Sequence, residues 1–400
     1  MTFLPSPAAK EAMRRLTEAG FLCVYIGGCV RDACMGLAPH DFDLAASAFP
    51  AELLSVFAGC RTVTTGIRHG TVTVIFDNEA VEITSFRTDG PSADGRRPDS
   101  VRFCRSLEED LRRRDFTVNA LCIDAEGNLI DLWGGQSDLQ ACLIRAIGDA
   151  DARFSEDELR VLRALRFAAR LGFSLEEKTA AAVRRHCSRL GALSAERVRS
   201  EIFSLLEGAD AARVLAEFPE IFFAVLPEAE TIDFAARLSL LSRLPQDAPL
   251  RLAALLPAEP AVFSAALGRL ALSNRLKRRI SGILRRRKTP LPRSESDRLR
   301  LLGAAGETVC ADLAALRLAE APSDPDALAL TDCIRRRPCC TVGQLAVTGG
   351  DLLAAGVPFG PAVGEALQAL LSLVIEGKAE NERAALLAAA KSLPEIAAQR

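Results

Sequence analysis

The hydrophobic pattern of this chain changes once along its length, and that change limits the folds available to it. Before about residue 140, short segments rich in β-branched or aromatic residues indicate strands at 21–26, 71–76 and 81–86. From Ser155 onward, apolar residues recur at helical spacing. The pattern predicts an α+β fold in which a small sheet with its helices is followed by an all-helical remainder.

Turn and breaker residues divide both parts into elements. The run Asp77-Asn78-Glu79 predicts a turn between the second and third strands, and Gly172 predicts the end of a helix. The Gly-, Pro- and Asp-rich segment 89–99 predicts a loop beside the sheet. We expect inter-helix loops near residues 225–230, 245–249, 288–292 and 321–325.

Composition excludes several classes of protein. A chain of 400 residues with 49% hydrophobic and 26% charged residues is neither disordered nor fibrous, and it is long enough for two or more domains. Because 50 Lys and Arg stand against 52 Asp and Glu, it is not a globally basic nucleic-acid binder. Any basic surface must therefore be local.

The cysteines and histidines do not form a pattern typical of a zinc site, and the apolar runs do not predict a membrane-spanning helix. The twelve cysteines form no CxxC pair, and with only three histidines we expect reduced, mostly buried thiols and no added phosphohydrolase site. No apolar run reaches the roughly 18 residues of a bilayer span, and the N-terminus lacks the apolar core of a signal peptide. We expect a cytoplasmic protein that does not contact membranes.

A glycine pair and two aspartates follow the first predicted strand. Gly27 and Gly28 would let backbone N–H groups approach a phosphate closely, and Arg31 adds a charged donor. Asp41 and Asp43 are two residues apart, so in a strand both carboxylates would project to one face, where they suit Mg²⁺. Together these residues predict a triphosphate cradle beside a two-metal site for phosphoryl displacement.

Each of these features also has an ordinary explanation when it is taken singly. A glycine pair is usually only a turn, and two spaced aspartates are usually solvated surface or a helix cap, so their order and spacing carry the inference. Glu82 alternates with Val81 and Ile83 in the third predicted strand and should point away from them. It is either a third carboxylate, acting as metal ligand or base, or an exposed glutamate without a role.

A basic segment before residue 120 fits the same chemistry. Arg114, Asp115 and Asn119 lie near a predicted helix, where a cation and an amide suit contacts to a triphosphate and a ribose. The alternative is a basic run that faces solvent.

Four charged residues at a spacing of three open the helical part of the chain. A helix beginning at Glu156 would carry Asp157, Arg160, Arg163 and Arg166 on one face for about three turns. The alternative is a surface stripe of ion pairs.

The functional interpretation of this stripe is a site that recognises bases. Cytosine and adenine both present an amino donor where uracil and guanine present a carbonyl. Asp157 could accept from either amino group, Arg160 could donate to the neighbouring ring nitrogen or carbonyl, and Arg163 and Arg166 could meet phosphates. The stripe would then select C and A without a nucleic-acid template.

These segments together resemble the class II tRNA nucleotidyltransferases, the bacterial CCA-adding enzymes and their poly(A) polymerase relatives. The similarity is dense between residues 20 and 206 and sparse at the C-terminus. The matching segments are 27–32 (GGCVRD), 41–43 (DFD), 96–101 (RRPDSV), 106–121 (SLEEDLRRRDFTVNAL), 156–167 (EDELRVLRALRF), 193–201 (LSAERVRSE), 349–352 (GGDL) and 377–381 (GKAEN).

The resemblance implies a polymerase-β-like nucleotidyltransferase head followed by all-α neck, body and tail domains. We place these domains at residues 1–140, 141–206, 207–300 and 301–400. By the family pattern, Gly28, Arg31 and Arg114 contact the nucleotide, and Asp41 and Asp43 bind Mg²⁺. Asp157, Arg160, Arg163 and Arg166 form the helix that selects bases and binds phosphate, and Glu196 and Arg197 brace it.

The implied reaction is addition of CCA to the 3′ end of tRNA from CTP and ATP, with release of pyrophosphate. Alternatives within the family are addition of A alone or of a poly(A) tail. Addition of CC alone is disfavoured because CC-adding members have a shortened loop, whereas segment 89–99 is present here with Arg96 and Arg97. A non-catalytic RNA-binding protein on the same scaffold is disfavoured by the intact Asp41 and Asp43.

One further segment suits tRNA. Residues 274–293 contain nine Lys or Arg in twenty positions and no acidic residue, which predicts either a phosphate-binding surface or an ordinary solvated helix face. The segment has no aromatic residue, so base stacking is not predicted.

Overall fold

The strands in the first 140 positions form a seven-stranded mixed sheet and a separate two-stranded sheet of Arg87–Asp89 and Val101–Phe103, and the rest of the chain is mainly helical. The computed structural model describes residues 3–39, 41–89 and 101–392. The chain packs as two units, one ending at Pro227 and the other beginning at Glu228. The predicted α+β architecture is confirmed, while the division into four domains stays a prediction.

The first unit contains all the described strands. Its helices and strands, in chain order, are α1 (Pro7–Glu18), β1 (Cys23–Ile26), α2 (Gly28–Cys34), β2 (Asp43–Ala46), α3 (Pro50–Val56), β3 (Arg61–Val63), β4 (Thr71–Phe76), β5 (Glu79–Ser85), β6 (Arg87–Asp89), β7 (Val101–Phe103), α4 (Leu107–Arg112), β8 (Cys122–Ile123), β9 (Leu129–Ile130), α5 (Gly135–Gln140), β10 (Leu143–Ile144), α6 (Ala150–Glu156), α7 (Leu159–Leu171), β11 (Ser174–Leu175), α8 (Glu177–Arg185), α9 (Ala195–Leu206), α10 (Ala211–Glu217) and α11 (Pro219–Val225).

The main sheet has seven strands in the order β3-β4-β5-β2-β1-β8-β9. Strands β2 and β5 are parallel, and their neighbours pair antiparallel. The β4–β5 hairpin turns at Asp77 and Asn78, which both have positive φ, as expected for residue types that tolerate the left-handed region. This order brings the start of β2 next to the middle of β5, although 35 or more residues separate them in the chain.

Both faces of the sheet are covered, so its central strands are apolar on both sides. On one face, Tyr25, Leu44 and Ile83 pack in a cluster that includes α1. On the other, Val24 and Ile26 pack in a second cluster, with Phe86, Leu111 and Ile147. The polar residues at the strand ends are therefore held on a rigid support.

Two local predictions were wrong at their boundaries. Strand β2 begins at Asp43, so Asp41 lies in a bend before it rather than in the strand. Helix α6 ends at Glu156 and α7 begins at Leu159, with Asp157 extended between them (φ −151°, ψ 102°). Asp157 therefore does not share the helical face that carries the three arginines. Gly172 ends α7 in the left-handed conformation, as predicted.

The second unit is helical throughout its described residues. It consists of α12 (Phe234–Leu241), α13 (Ala248–Leu255), α14 (Pro260–Arg269), α15 (Asn274–Arg286), α16 (Glu295–Ala305), α17 (Glu307–Glu320), α18 (Pro325–Arg335), α19 (Gly349–Ala354), α20 (Pro361–Ile375) and α21 (Arg383–Ala390), together with short single turns. The predicted loops at 288–292 and 321–325 are confirmed.

The basic segment 274–293 is mostly α15, and its cations are divided between two environments. Arg279 is paired with Asp247 and Asp312, and Arg287 is buried, whereas Arg275, Arg278 and Arg285 are exposed.

Three further expectations concern other parts of the chain. Among the described helices, none has the length and apolar character needed to cross a bilayer. All twelve cysteines are unbridged, but five are fully buried, six are partly buried and Cys142 is exposed. Residues 90–99 of the predicted loop, with Arg96 and Arg97, lie outside the described residues, as does His40.

Candidate active site

The polar ends of the strands and the α6–α7 region enclose a cavity of about 970 Å³ within the first unit. Eight arginines and six carboxylates line it, so charged groups of both signs face one space. The predicted site residues that line it are Gly27, Gly28, Asp43, Glu82, Arg114, Asp115, Asn119, Asp157, Arg160 and Arg163. The predicted residues Arg31, Asp41 and Arg166 are not in its lining.

One side of the cavity carries carboxylates. Asp43 on β2 and Glu82 on β5 are direct partners across the parallel strand pair, so their side chains project from the same face of the sheet. Glu82 points away from the buried Val81 and Ile83, as its alternation predicted. Sheet pairing thus assembles the carboxylate pair from two distant segments.

Asp43 is accessible within the cavity, yet the surrounding walls remove part of its hydration. This burial raises the pKa of Asp43 above its ordinary value, and the negative charges of Glu82 and Asp41 add to the effect, against an opposing attraction from Arg114. The two other acidic groups are therefore close enough to disfavour ionisation of Asp43. A cation in this position would relieve that repulsion.

These carboxylates fit a hard divalent cation whose coordination is completed by water and by a bound ligand. Among the described residues, no three His, Cys, Asp or Glu side chains already form a set that could hold an ion. Mg²⁺ in phosphate-transfer sites typically uses one or two carboxylates together with water and substrate phosphate oxygens. Asp43 and Glu82, with Asp41 nearby, match that kind of site.

The glycine turn forms another wall of the cavity. Gly27 has φ 77°, a conformation that favours glycine, and a Cβ at this position would lie 3.7 Å from Nη1 of Arg114. That distance is an ordinary van der Waals contact, so the positive φ rather than a lack of space accounts for glycine here. The buried Nε of Arg114 has no hydrogen-bond acceptor among the described residues. Arg114 thus keeps a donor that an anionic ligand could satisfy.

Asp110 holds the basic wall in place. It is fully buried and accepts from Nε and Nη2 of Arg113 (3.0 and 2.8 Å), from Nη2 of Arg114 (3.2 Å) and from the backbone N–H of Arg87 (3.2 Å). Burial alone would raise the pKa of Asp110, but the charges of Arg114 and Arg113 outweigh it and lower the pKa. Asp110 was not among the predicted site residues, although its spacing of three and four from these arginines was a usable signal.

A buried network joins the head residues to α7. Asp115 accepts from Nε of Arg163 (2.8 Å) and Nδ2 of Asn119 (3.2 Å). Oδ1 of Asn119 in turn accepts from Nη1 of Arg31 (2.8 Å), whose Nε and Nη2 donate to Oδ1 of Asp32 (2.9 and 2.7 Å). Burial alone would raise the pKa of Asp115, but attraction to Arg163 and hydrogen bonds outweigh it and lower the pKa to about 2. Arg31 and Arg163 are thus engaged within the protein.

Asp157 is held at the break between α6 and α7. Its Oδ1 accepts from the backbone N–H of Leu159 (3.2 Å), and its Oδ2 accepts from Nη2 of Arg197 on α9 (2.6 Å). The structure therefore places Arg197 against the segment that it was expected to brace. Because the carboxylate has acceptor sites beyond these two bonds, it can still accept from a ligand in the cavity.

Arg160 joins the same region to the end of α4. Its Nη1 donates to the carbonyl oxygen of Arg153 (2.9 Å) and to Glu156 (2.8 Å), and its Nη2 donates to the carbonyl oxygen of Arg113 (2.7 Å). These bonds use three of the five N–H groups of a guanidinium. The side chain is therefore rigidly held while retaining donors toward the cavity.

Arg166 contacts α9 and a neighbouring aromatic ring. Its Nε lies 3.2 Å from Glu201 on α9, and its guanidinium stacks 4.4 Å from the ring centre of Phe167. Burial raises the pKa of Glu201 despite the attraction of Arg166. Glu201 was not among the predicted site residues, because only the packing of α7 against α9 brings it next to Arg166.

Three segments of this chain match known protein families, and the descriptions of these families agree. Residues 23–145 match the poly A polymerase head domain, residues 172–229 match a polymerase A segment described as an RNA- and SrmB-binding site, and residues 250–390 match the second domain of tRNA nucleotidyltransferases.

Full-length relatives carry one description. The CCA-adding enzyme of Limosilactobacillus fermentum is 38% identical over 395 residues, which cover 96% of each chain. The CCA-adding enzyme of Geobacillus kaustophilus is 38% identical over 389 residues and 95% of each chain.

Solved structures agree with these sequence matches. The Bacillus stearothermophilus CCA-adding enzyme in complex with CTP has a TM-score of 0.78 and 32% identity, covering 96% of this chain and 97% of the other. The Thermotoga maritima CCA-adding enzyme complexed with tRNA, at 19% identity and a TM-score of 0.64 over 99% and 97% of the two chains, shares the fold. The chain therefore belongs to the family of CCA-adding enzymes and their poly(A) polymerase relatives.

Proposed function

We propose that the cavity of the first unit is the site where this CCA-adding enzyme extends the 3′ end of tRNA with CTP and ATP. The observation that carries the proposal is the meeting, in one cavity, of the Asp43–Glu82 carboxylate pair with Arg114, Asp157 and Arg160. In the reaction, the 3′ oxygen of the tRNA forms a bond to the α-phosphorus. The bond from that phosphorus to the departing pyrophosphate oxygen breaks.

The basic wall is suited to the triphosphate. Arg114 has an unsatisfied Nε and is held by the buried Asp110, so its guanidinium is positioned before the nucleotide arrives. A preorganised donor stabilises developing negative charge without reorganising during the reaction. Gly27 and Gly28 contribute a backbone that a triphosphate can approach closely.

Enzymes of this family depend on divalent metal ions. We assign Mg²⁺ to Asp41 and Asp43, with Glu82 as a further carboxylate on the same side. Bound there, the ion would lower the pKa of the attacking hydroxyl and stabilise the leaving pyrophosphate. Arg114, whose charge also acts on Asp43, keeps its own role in binding the triphosphate.

Asp157 and Arg160 are suited to selecting the base. Asp157 can accept from the amino group of cytosine or adenine, while Arg160 donates to the adjacent ring nitrogen or carbonyl. Uracil and guanine place a carbonyl opposite the carboxylate and would leave buried polar groups unpaired. Both side chains are fixed by protein contacts, so discrimination needs no template strand. Because tRNA is the acceptor, we place the reaction in the cytoplasm.

Single-nucleotide incubations test the function. We expect tRNA that lacks CCA to gain two residues from CTP alone, and tRNA that ends in CC to gain one residue from ATP alone. Acceptance of ATP by CC-ended tRNA only would identify an A-adding enzyme instead, and long runs of A would identify a poly(A) polymerase. Gel resolution of the products at single-nucleotide length distinguishes the three.

Carboxylate variants test the metal assignment and the non-catalytic alternative. Asp41→Ala and Asp43→Asn should each lower kcat at least about 100-fold, since metal stabilisation of transition-state charge is typically several kcal/mol, while filter retention of tRNA persists. Glu82→Gln should raise the Mg²⁺ concentration needed for half-maximal rate. Glu79→Gln, at the exposed start of the same strand, is the matched control. Unchanged incorporation in the aspartate variants would refute the assignment.

A further inference from the structure

A second cavity, of about 1050 Å³, lies within the second unit and is remote in sequence from every residue assigned above. Residues from α12, α14, α17 and the two loops that follow α13 and α15 line it. Its charged lining residues are Asp233, Arg237, Arg243, Glu259, Arg287, Lys288, Arg317 and Glu320. Five cations thus face three carboxylates, which gives the cavity an excess of positive charge.

Arg287 is the unusual member of this set. Only 7% of the residue is exposed, and its Nη1 donates to the carbonyl oxygens of Ala253 and Ala254, both at 3.0 Å, at the C-terminal end of α13. Its Nε and Nη2 are buried and have no acceptor among the described residues. These two groups form the edge through which a guanidinium makes paired, parallel hydrogen bonds to a phosphate or carboxylate.

The neighbouring charges do not satisfy that edge. Glu320 lies 3.2 Å from Arg237 and 3.6 Å from Arg317, so the nearby carboxylate is shared between two other guanidiniums. Burial lowers the pKa of Arg287 to about 10, and the charge of Arg237 adds to this effect. A buried cation without a counter-ion is costly, and a bound anion removes that cost.

We propose that this second-unit cavity binds a phosphate group, held by the Nε–Nη2 edge of Arg287 with Arg237 and Arg317 beside it. The phosphate belongs either to a free compound, such as the pyrophosphate that the reaction releases, or to the backbone of the RNA. A carboxylate ligand would use the same edge, but three neighbouring guanidiniums match the greater charge and the additional oxygens of a phosphate.

Two variants of the full chain test the site. Arg237→Gln removes a lining cation whose side-chain partner is Glu320, and Arg287→Lys keeps a cation that can reach the α13 carbonyl oxygens but loses the paired edge. Arg335→Gln, an exposed arginine of the same unit outside the cavity, is the control. The probe is inorganic pyrophosphate, measured by calorimetry with divalent metal removed by a chelator.

We expect wild-type protein and Arg335→Gln to bind pyrophosphate, and Arg237→Gln and Arg287→Lys to bind it at least about tenfold more weakly, as loss of a charge-assisted hydrogen bond implies. Arg114→Gln should retain this binding, which separates the second-unit cavity from the active site.

Filter retention of CC-ended tRNA identifies the source of the phosphate. If the two cavity variants weaken tRNA retention and leave pyrophosphate binding unchanged, the group is part of the RNA backbone. If both variants match Arg335→Gln in both measurements, the proposal is overturned, whatever the outcome for nucleotide addition.

Discussion

Asp157, which we propose selects the base, is also held in place by the protein. It leaves the helix and is held by Arg197 and by the backbone N–H of Leu159 while it still lines the cavity. A fixed carboxylate discriminates more strongly than a mobile one, because a mismatched base cannot recruit it into another geometry.

Replacing Asp157 should therefore relax nucleotide choice. We expect Asp157→Ala to lower the preference for CTP over UTP at least about tenfold, because an unpaired buried polar group costs ~1–3 kcal/mol. Arg197→Lys, which retains the carboxylate but weakens its support, should give a smaller loss. Competition between CTP and UTP on one tRNA acceptor measures the ratio. An unchanged ratio in Asp157→Ala would exclude this residue from base selection.

Asp115 gives a prediction for acid stability. Its pKa is about 2 in the folded chain against an ordinary value of 3.8, so the folded state gains stability above pH ~4 and loses that gain as the pH falls toward 2. The difference corresponds to about 2 kcal/mol. In Asp115→Asn, the free energy of unfolding should depend less on pH between about 4 and 2. Urea unfolding followed by the fluorescence of Trp133, the single tryptophan and a residue of the first unit, measures this dependence. An equal dependence of the unfolding free energy on pH in the variant and the wild type would contradict this prediction.

At the level of elements, α7 is the scaffold of the active site because it links three parts of the first unit. Arg163 of α7 pairs with Asp115, and Arg166 pairs with Glu201 on α9. The chain that follows α9 packs against the backbone of α7. That last contact depends on Gly208, where a Cβ would lie 2.7 Å from the carbonyl oxygen of Ala169.

Gly208→Ala tests this close approach. Because the obstructing atoms are mainly backbone, the added methyl group should destabilise the first unit by about 1–3 kcal/mol, the usual range for overpacking. Gly191→Ala is the matched control, since a Cβ there meets nothing within 4 Å. Urea denaturation of both variants provides the comparison. Equal stability would mean that α7 and the chain after α9 can separate without cost.

At the level of the whole molecule, the positive charge that contacts phosphate must be concentrated in particular regions of the surface. The chain has a net charge of −2 yet belongs to a family whose members act on tRNA, so phosphate contacts must come from local basic surfaces. The exposed face of α15, with Arg275, Arg278 and Arg285, is one candidate for such a surface. Arg279, in the same basic segment, is instead paired with Asp247 and Asp312 within the second unit.

Salt dependence tests this division. If an exposed arginine of α15 contacts a phosphate, its replacement by Gln should reduce the slope of log affinity for tRNA against log salt by about 0.7–0.9. CTP binding should be unchanged, and Lys10→Gln, an exposed cation of the first unit, should leave the slope unaltered. A slope that no α15 variant changes would identify this face as ordinary solvated surface.

Local patterns were sufficient for the features that depend on neighbouring residues. The hairpin turn at Asp77 and Asn78, the outward orientation of Glu82 and the helix end at Gly172 all follow from backbone preference or from a period of two or 3.6. The prediction that Asp157 lies on the helical face was wrong because its position depends on a distant residue. Spacing alone does not reveal a break that is stabilised by Arg197, forty positions away.

From the sequence alone, the α+β architecture, the similarity to tRNA nucleotidyltransferases and ten of the residues that line the cavity could be identified, because these rest on short-range periodicity and on motifs. The tertiary structure decided which of them meet. It placed Asp43 beside Glu82, buried Arg31 against Asn119 and paired Arg163 with Asp115. Strand order and helix packing are set by burial of apolar surface over the whole unit, and that is not a property of any one segment.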